Sequence, residues 1–414
     1  MTTPITYHTI DGRNAGTWVV LIGFILLSAL GGLAALYMEH NGHWVTGMTN
    51  HVVWGLPHVF ALFLIVSSTG ALNVASIGSV FEKAPYRPFG RLSGLTALAL
   101  QAGGLAILVL DLGRSDRMVT FVTYYNFSSI FSMNVILYSG FFGFVIFYLW
   151  TMMDQRMGHM YRPAALFAFI WRLILTTGSG SIFGFMISRS AYHSTLVAPM
   201  FIALSMSFGV AMYCLVMLWL NASTGRRYPS PELLRRLRIL LAILVGVSLY
   251  MVLVHHVTNL YVAERRDVER FLLVDSGIYA PLLWIGFGLL GSLIPIFLVL
   301  SPAGSIGSAK ATLGLASALV VLGGNCFMYV FIVGGEAFPL ELFPGKILSS
   351  AAGDGAIASY VPSLPEIVLA IGGYGVAGLL LVVGLWAFPM LPSSFAAAEQ
   401  KAEAEAKVRA TAAH

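Results

Sequence analysis

Ten apolar runs of about 20 residues or more dominate this chain, and few folds can accept them. They lie near 17–38, 52–77, 92–112, 132–153, 163–188, 196–220, 238–262, 278–300, 311–334 and 364–390. At a rise of about 1.5 Å per residue, each is long enough to cross a hydrocarbon core of roughly 30 Å. Hydrophobic residues make up 58% of the 414 and charged ones only 10%, too little polar surface to coat a soluble globule of this size. The spacing predicts an all-α integral membrane protein with ten transmembrane helices. The first run has neither a basic segment before it nor a small-residue cleavage site after it, and reads as a retained helix instead of a signal peptide. From about Ala396 the sequence is polar and alanine-rich, which reads as frayed helix or disorder.

An even number of spans puts both termini on one side of the membrane, and charge says which. Of the 23 lysines and arginines, fifteen fall on the terminus side, seven on the other, and Arg172 within a span. The positive-inside rule makes the terminus side cytoplasmic. The net charge of +5 is then a topology signal and calls for no nucleic acid. Cys214 and Cys326 sit in separate apolar runs, so neither a disulfide framework nor a cysteine-ligated cluster can be built from them. Iron–sulfur chemistry would belong to a partner.

Titratable groups gather at the non-cytoplasmic surface. His40, His43, His51, His58, His193, His255 and His256 lie on or near it, as do LDLGRSDRM (Leu110 to Met118), Tyr124, Tyr125, Asn126 and the run ERRDVER from Glu264 to Arg270. A long loop from Gly335 to Ser363 adds Glu336, Glu341 and Asp354. Such clustering at one membrane surface suggests proton or redox chemistry.

Each element has a structural and a functional reading. His58, in WGLPHVF a turn or two inside the second span, is either bonded to a neighbouring helix or functional, and Pro57 is expected to loosen the helix before it. His255 and His256 point about 100° apart on a helix, so at most one should face a given pocket. ERRDVER reads as a solvated helix end laced with ion pairs, and Arg172, in mid-span, needs a partner. Gln101 and Arg172 could also begin a proton path. Asp111 and Arg114, three residues apart, would meet on one helical face and neutralise each other if the helix continued. Alternatively, Asp111 belongs to a pocket for a lipid-soluble two-electron carrier. Quinol oxidation needs donors for the ring oxygens and bases for two protons, and Asp111, His58, Tyr124, Tyr125 and Asn126 supply that set.

LDLGRSDRM followed by YYNFSSIFSMNVILYSGFF resembles the NrfD/PsrC family of quinone-interacting membrane subunits: an aspartate, Leu-Gly-Arg, then Asn and Ser opening the next helix. YVPSLPEIVLAIGGYGVAG, the closing FPMLP, and RSAYHSTLVAPM with its His193 are similar to the ten-helix HybB/DsrP-type branch. Ser115 replaces the proline common in the family. The resemblance implies two four-helix bundles (17–153 and 163–300) and two additional helices (311–390), flanked by cytoplasmic segments 1–16 and 391–414. PHVFALFLIVSSTG in the second span and PMFIALSMSFGVAM in the sixth hint at that duplication.

By the same resemblance the protein is a membrane anchor of a bacterial inner-membrane redox complex, without an iron–sulfur cluster of its own. It would exchange electrons between menaquinone or ubiquinone and a periplasmic four-iron-cluster ferredoxin-like subunit, with a multihaem cytochrome c or other membrane subunits alongside, in sulfur or hydrogen metabolism. Asp111 would bind a quinone oxygen or take its proton, with Arg114 fixing the carboxylate. Tyr124, Tyr125, Asn126 and His193 join the binding set, and His58, His193, His255 and Glu264 are proton-relay candidates. The Gly335 to Ser363 loop and ERRDVER are expected to dock the partner. Two other classes fit the residues less closely: a cytochrome b with haem between His58 and one of His193, His255 or His256, and a secondary transporter.

Overall fold

The computed structural model describes residues 6–10, 15–224, 229–340, 343, 346, 349, 350, 353 and 355–392. Among the described residues, ten helices are long and apolar enough to span a membrane. They are α1 (Ala15–Asn41), α2 (Leu56–Ser79), α3 (Ala84–Leu110), α4 (Ile130–Met153), α5 (Gln155–Gly184), α6 (Val197–Ser223), α7 (Pro231–Tyr261), α8 (Tyr279–Leu300), α9 (Ile306–Ala337) and α10 (Leu364–Ala387). The protein is an all-α, multi-pass membrane protein. Two short strands, β1 (Tyr7–His8) and β2 (Leu391–Pro392), pair antiparallel, and the Ile10 N–H donates to the Leu385 carbonyl at 3.0 Å. The described ends of the protein therefore lie together on one face, as ten crossings require.

Helix α2 is the hub. It packs on α3 and α6, and also touches α5, α9 and α10. A side chain on Gly70 of α2 would overlap the Ser205 carbonyl of α6, and one on Gly209 of α6 would overlap the backbone of Gly70 and Ala71. Here two helices meet backbone to backbone, the packing that small residues permit inside a membrane. Phe63 and Phe208 extend the contact, with ring centroids 5.1 Å apart.

Helices α2 to α5 are mutual neighbours, as are α6 to α9; α2 and α5 both pack on α6, α10 lies on α3 and α2, and α1 packs along α10. Trp18 and Trp386 meet edge to face across that last contact at 5.1 Å. The resemblance implies a first bundle of α1 to α4; in the structure the neighbour of α1 is α10. Glu336 corrects a second expectation. It lies in the last turn of α9, at 2% exposure, instead of in a surface loop. Glu341 and Asp354, expected in the same loop, fall outside the described residues.

Candidate functional site

On the face opposite the strand pair, the start of α2 meets the end of α3. Helix α2 begins at Leu56 with Gly55 as N-cap and Pro57 in its first turn. A proline there gives up an N–H that has no helical partner in any case. Pro57 thus starts this helix and does not loosen one already under way, and His58 stands at its mouth.

Helix α3 stops at Leu110, with Asp111 as C-cap. Gly113 takes φ +69°, a left-handed turn open to glycine, and a side chain there would also press on the His43 ring at 3.2 Å. The backbone turns away after this point, so the helical spacing between Asp111 and Arg114 is never realised. Arg114 grips Asp116 instead, with Nε to Oδ1 at 3.0 Å and Nη2 to Oδ2 at 3.1 Å, both side chains more than half exposed. The Arg114 hydrogen bond holds the Asp116 carboxyl below the usual carboxylate range. The expected pairing of Arg114 with Asp111 is absent from the structure.

Asp111 faces His58. Their contact, Oδ2 to Nδ1, is 2.7 Å, and the carboxylate side chain is fully buried. The approach is close but off the line of a hydrogen bond, and no other described group donates to either Asp111 oxygen. Buried carboxylate oxygens normally have donors; these have none among the described residues. Trp54 stacks on His58, with centroids 6.2 Å apart and planes 26° from parallel, and touches Phe131 and Phe183 on other sides. The Nε2 of His43, over Gly113, is buried with no partner among the described residues.

Two buried glutamates set the loop that leads into α2. Glu336 of α9 accepts the Trp54 N–H through Oε2 at 2.8 Å. Arg189 donates to the Glu336 carbonyl at 2.7 Å and to the His51 carbonyl at 2.8 Å. Glu366 of α10 accepts the N–H groups of Gly47 and Ser363 through Oε2 and the Tyr360 hydroxyl through Oε1, each at 2.7 Å. The Tyr360 oxygen in turn accepts the Leu56 N–H at 2.7 Å. Burial pushes the Tyr360 phenol above its ordinary range.

The other candidates are dispersed. Tyr124 is 84% exposed; Asn126 is exposed and accepts the Ser128 N–H within its own turn. Tyr125 keeps its hydroxyl buried and without a partner among the described residues, its ring against Phe127 at 4.7 Å. His193 is exposed on the loop after α5, and Glu264 is exposed after α7. Within ERRDVER it is Glu269 that is buried, at 0% exposure, bonded to His256 and Asn259, while Arg270 pairs with Asp275 at the surface. His255 and His256 line one cavity together, contrary to the expectation from their helical angle. At mid-membrane, Arg172 has the Thr69 carbonyl at 3.3 Å and the Phe169 ring at 4.8 Å instead of a carboxylate. Gln101 accepts the Ser68 hydroxyl at 2.6 Å. Sequence reasoning does not pick out Trp54, Asn259 or Glu366, and gives His43, Glu336 and Glu269 no role of their own. Most of these act through a partner distant in the sequence or a turn away; Glu366, three residues after Ser363, does carry a local signal, the capping-box spacing.

The family model described as "Polysulphide reductase, NrfD" matches residues 44–340, from the loop before α2 to just past α9. The chain is 29% identical over 392 residues to an Hdr-like menaquinol oxidoreductase integral membrane subunit of Archaeoglobus fulgidus, covering 94% of this chain and 97% of the relative. It is 23% identical to a selenate reductase subunit of Mesobacillus selenatarsenatis, covering 89% of this protein and 93% of the relative. A polysulfide reductase chain of Wolinella succinogenes is 24% identical over 311 residues, covering 70% of this protein and 96% of the relative. With a match over most of its length and the Asp111 turn inside it, the chain belongs to the polysulphide reductase NrfD family.

Proposed function

We propose that this protein is the quinone-reactive membrane subunit of a multi-subunit redox complex, and that quinone meets it at His58 and Asp111. The observation that carries the reading is the buried imidazole–carboxylate contact at the mouth of α2, with carboxylate oxygens that no described group satisfies. The names of the relatives, one a menaquinol oxidoreductase subunit and others components of selenate and polysulfide reductases, support it.

Quinol supplies two electrons and two protons when it is oxidised. The Asp111 charge beside Nδ1 favours the ring proton on that side of His58, which leaves Nε2 as the base for one hydroxyl. The open Asp111 oxygen accepts a hydrogen bond from the second quinol hydroxyl and takes its proton, and Trp54 offers an aromatic wall. Electrons pass to an iron–sulfur subunit docked on this face, read as periplasmic from the excess of lysine and arginine on the terminus side.

Asp111→Asn keeps the shape and removes the charge. Quinol-dependent electron transfer in the purified complex is expected to fall about 100-fold, the low end for losing an acid–base group, with subunits still copurifying. Normal turnover by an assembled Asp111→Asn complex sinks the assignment.

A further inference from the structure

A second imidazole–carboxylate pair lies in the α6 to α9 set, unused by the quinone reading. His256 Nδ1 stands 2.7 Å from Glu269 Oε2, the same atom pairing and distance as His58 and Asp111. Asn259 Nδ2 donates to Glu269 Oε1 at 2.7 Å and approaches His255 Nε2 at 3.2 Å. Arg265 donates to Asn259 Oδ1 at 3.0 Å, which fixes which end of the amide is nitrogen. The tautomers follow. His255 Nε2 is an acceptor, so its Nδ1 carries the proton; His256 Nδ1 donates to Glu269, so its Nε2 is an acceptor.

His255 Nδ1 and His256 Nε2 are both buried with no partner among the described residues, and both residues line one cavity. The cavity therefore receives one donor and one acceptor side by side. Its other walls are apolar: Ala191, Leu272, Leu283, Phe327, Val330 and Phe331. The space left for the centre of a water-sized sphere is about 10 Å³, room for about one water. Leu272, Leu283, Val330 and Phe331 stand on the wide-turned π segments Phe271–Asp275, Leu282–Leu293 and Val330–Gly334. Such turns recur at functional sites because they displace a helix face from regular packing.

We propose that His255, His256 and Glu269 form a proton-exchange site that binds one water between His255 Nδ1 and His256 Nε2. The water accepts from the first and donates to the second. A proton arriving on that water moves to His256 Nε2: one O–H bond breaks, one N–H bond forms, and the water is restored. The imidazolium then faces the Glu269 carboxylate, and the reverse step releases the proton. Arg265, through Asn259, and the neutral His255 are the other titratable groups turned to the pair. Arg270 is occupied with Asp275 at the surface. The site is built independently of the quinone pocket and does not require the quinone reading.

The test is pH-jump difference infrared spectroscopy of the full-length protein in lipid nanodiscs without added quinol, in H2O and D2O. The expected spectrum pairs an imidazole protonation band with a carboxylate band shift and a weak, D2O-sensitive water band. Glu269→Gln is expected to remove the carboxylate component and His256→Gln the imidazole component, while Asp111→Asn leaves both. His255→Phe is expected to remove only the water band. Bands that survive in both Glu269→Gln and His256→Gln, or that vanish in Asp111→Asn, overturn the proposal. A quinol-dead Asp111→Asn protein that keeps these bands separates this site from the quinone assignment.

Discussion

At the residue scale the decisive distinction lies between Asp111 and Arg114. Three positions apart, they differ in what surrounds them: one carboxylate is sealed against an imidazole, and one guanidinium is spent on an exposed neighbour. Exposed ion pairs contribute little, because water competes for both partners and salt screens them. Arg114→Ala is therefore expected to change quinol-dependent turnover by no more than about threefold, and Asp116→Asn by no more. Steady-state rates at two ionic strengths check this, and a loss as large as that of Asp111→Asn would place Arg114 in the site after all. The residue types at this turn are legible in the sequence, and Asp111 stands out there. The Asp111 to Arg114 pairing is misread because helical spacing does not hold past the end of α3, where the positive φ of Gly113 redirects the backbone.

At the element scale, the loop from His43 to Gly55 is set by two carboxylates from the far end of the sequence. Glu366 binds Gly47 and Ser363 N–H groups and, through Tyr360, the first residue of α2. An amide at that position could keep its oxygen on the two N–H groups only by turning its NH2 toward the Tyr360 hydroxyl, leaving at least one buried donor unmet. Glu366→Gln is expected to destabilise the protein by roughly 1.5–3 kcal/mol, the range for a lost hydrogen bond to a charged group, read as a lower midpoint of thermal unfolding in detergent. Because the loop carries Trp54 toward His58, the KM for quinol is expected to rise as well. An unchanged midpoint removes Glu366 from this role. The spans themselves are readable from apolar length alone. Their ends are not, because hydropathy falls at the first charge: Glu336 ends the run in sequence yet continues the helix in the structure, where backbone donors satisfy it.

At the scale of the whole molecule, sequence order and spatial grouping disagree. Sequence order assigns α1 to the first bundle, whereas packing pairs it with α10 and leaves α2 to α5 and α6 to α9 as the two sets of four. The likeness of α2 to α6 hints at duplication, but apolar runs align easily, and no sequence signal says which helix faces which. What fixes the grouping is shape: α2 and α6 can cross backbone to backbone only because Gly70 meets Gly209 there. Even one methyl at Gly70 would enter the Ser205 carbonyl and force the two sets apart, and no flexible side chain stands in the way to yield. Gly32 on α1 is the control, since a methyl there meets nothing within 4 Å. Gly70→Ala is expected to cost about 1–3 kcal/mol or more, as overpacking of a tight core does, seen as reduced monodisperse yield and a lower unfolding midpoint. Gly32→Ala is expected to behave as the unaltered protein. Should Gly70→Ala and Gly32→Ala unfold at the same temperature, the α2 and α6 crossing would not be what holds the two sets together.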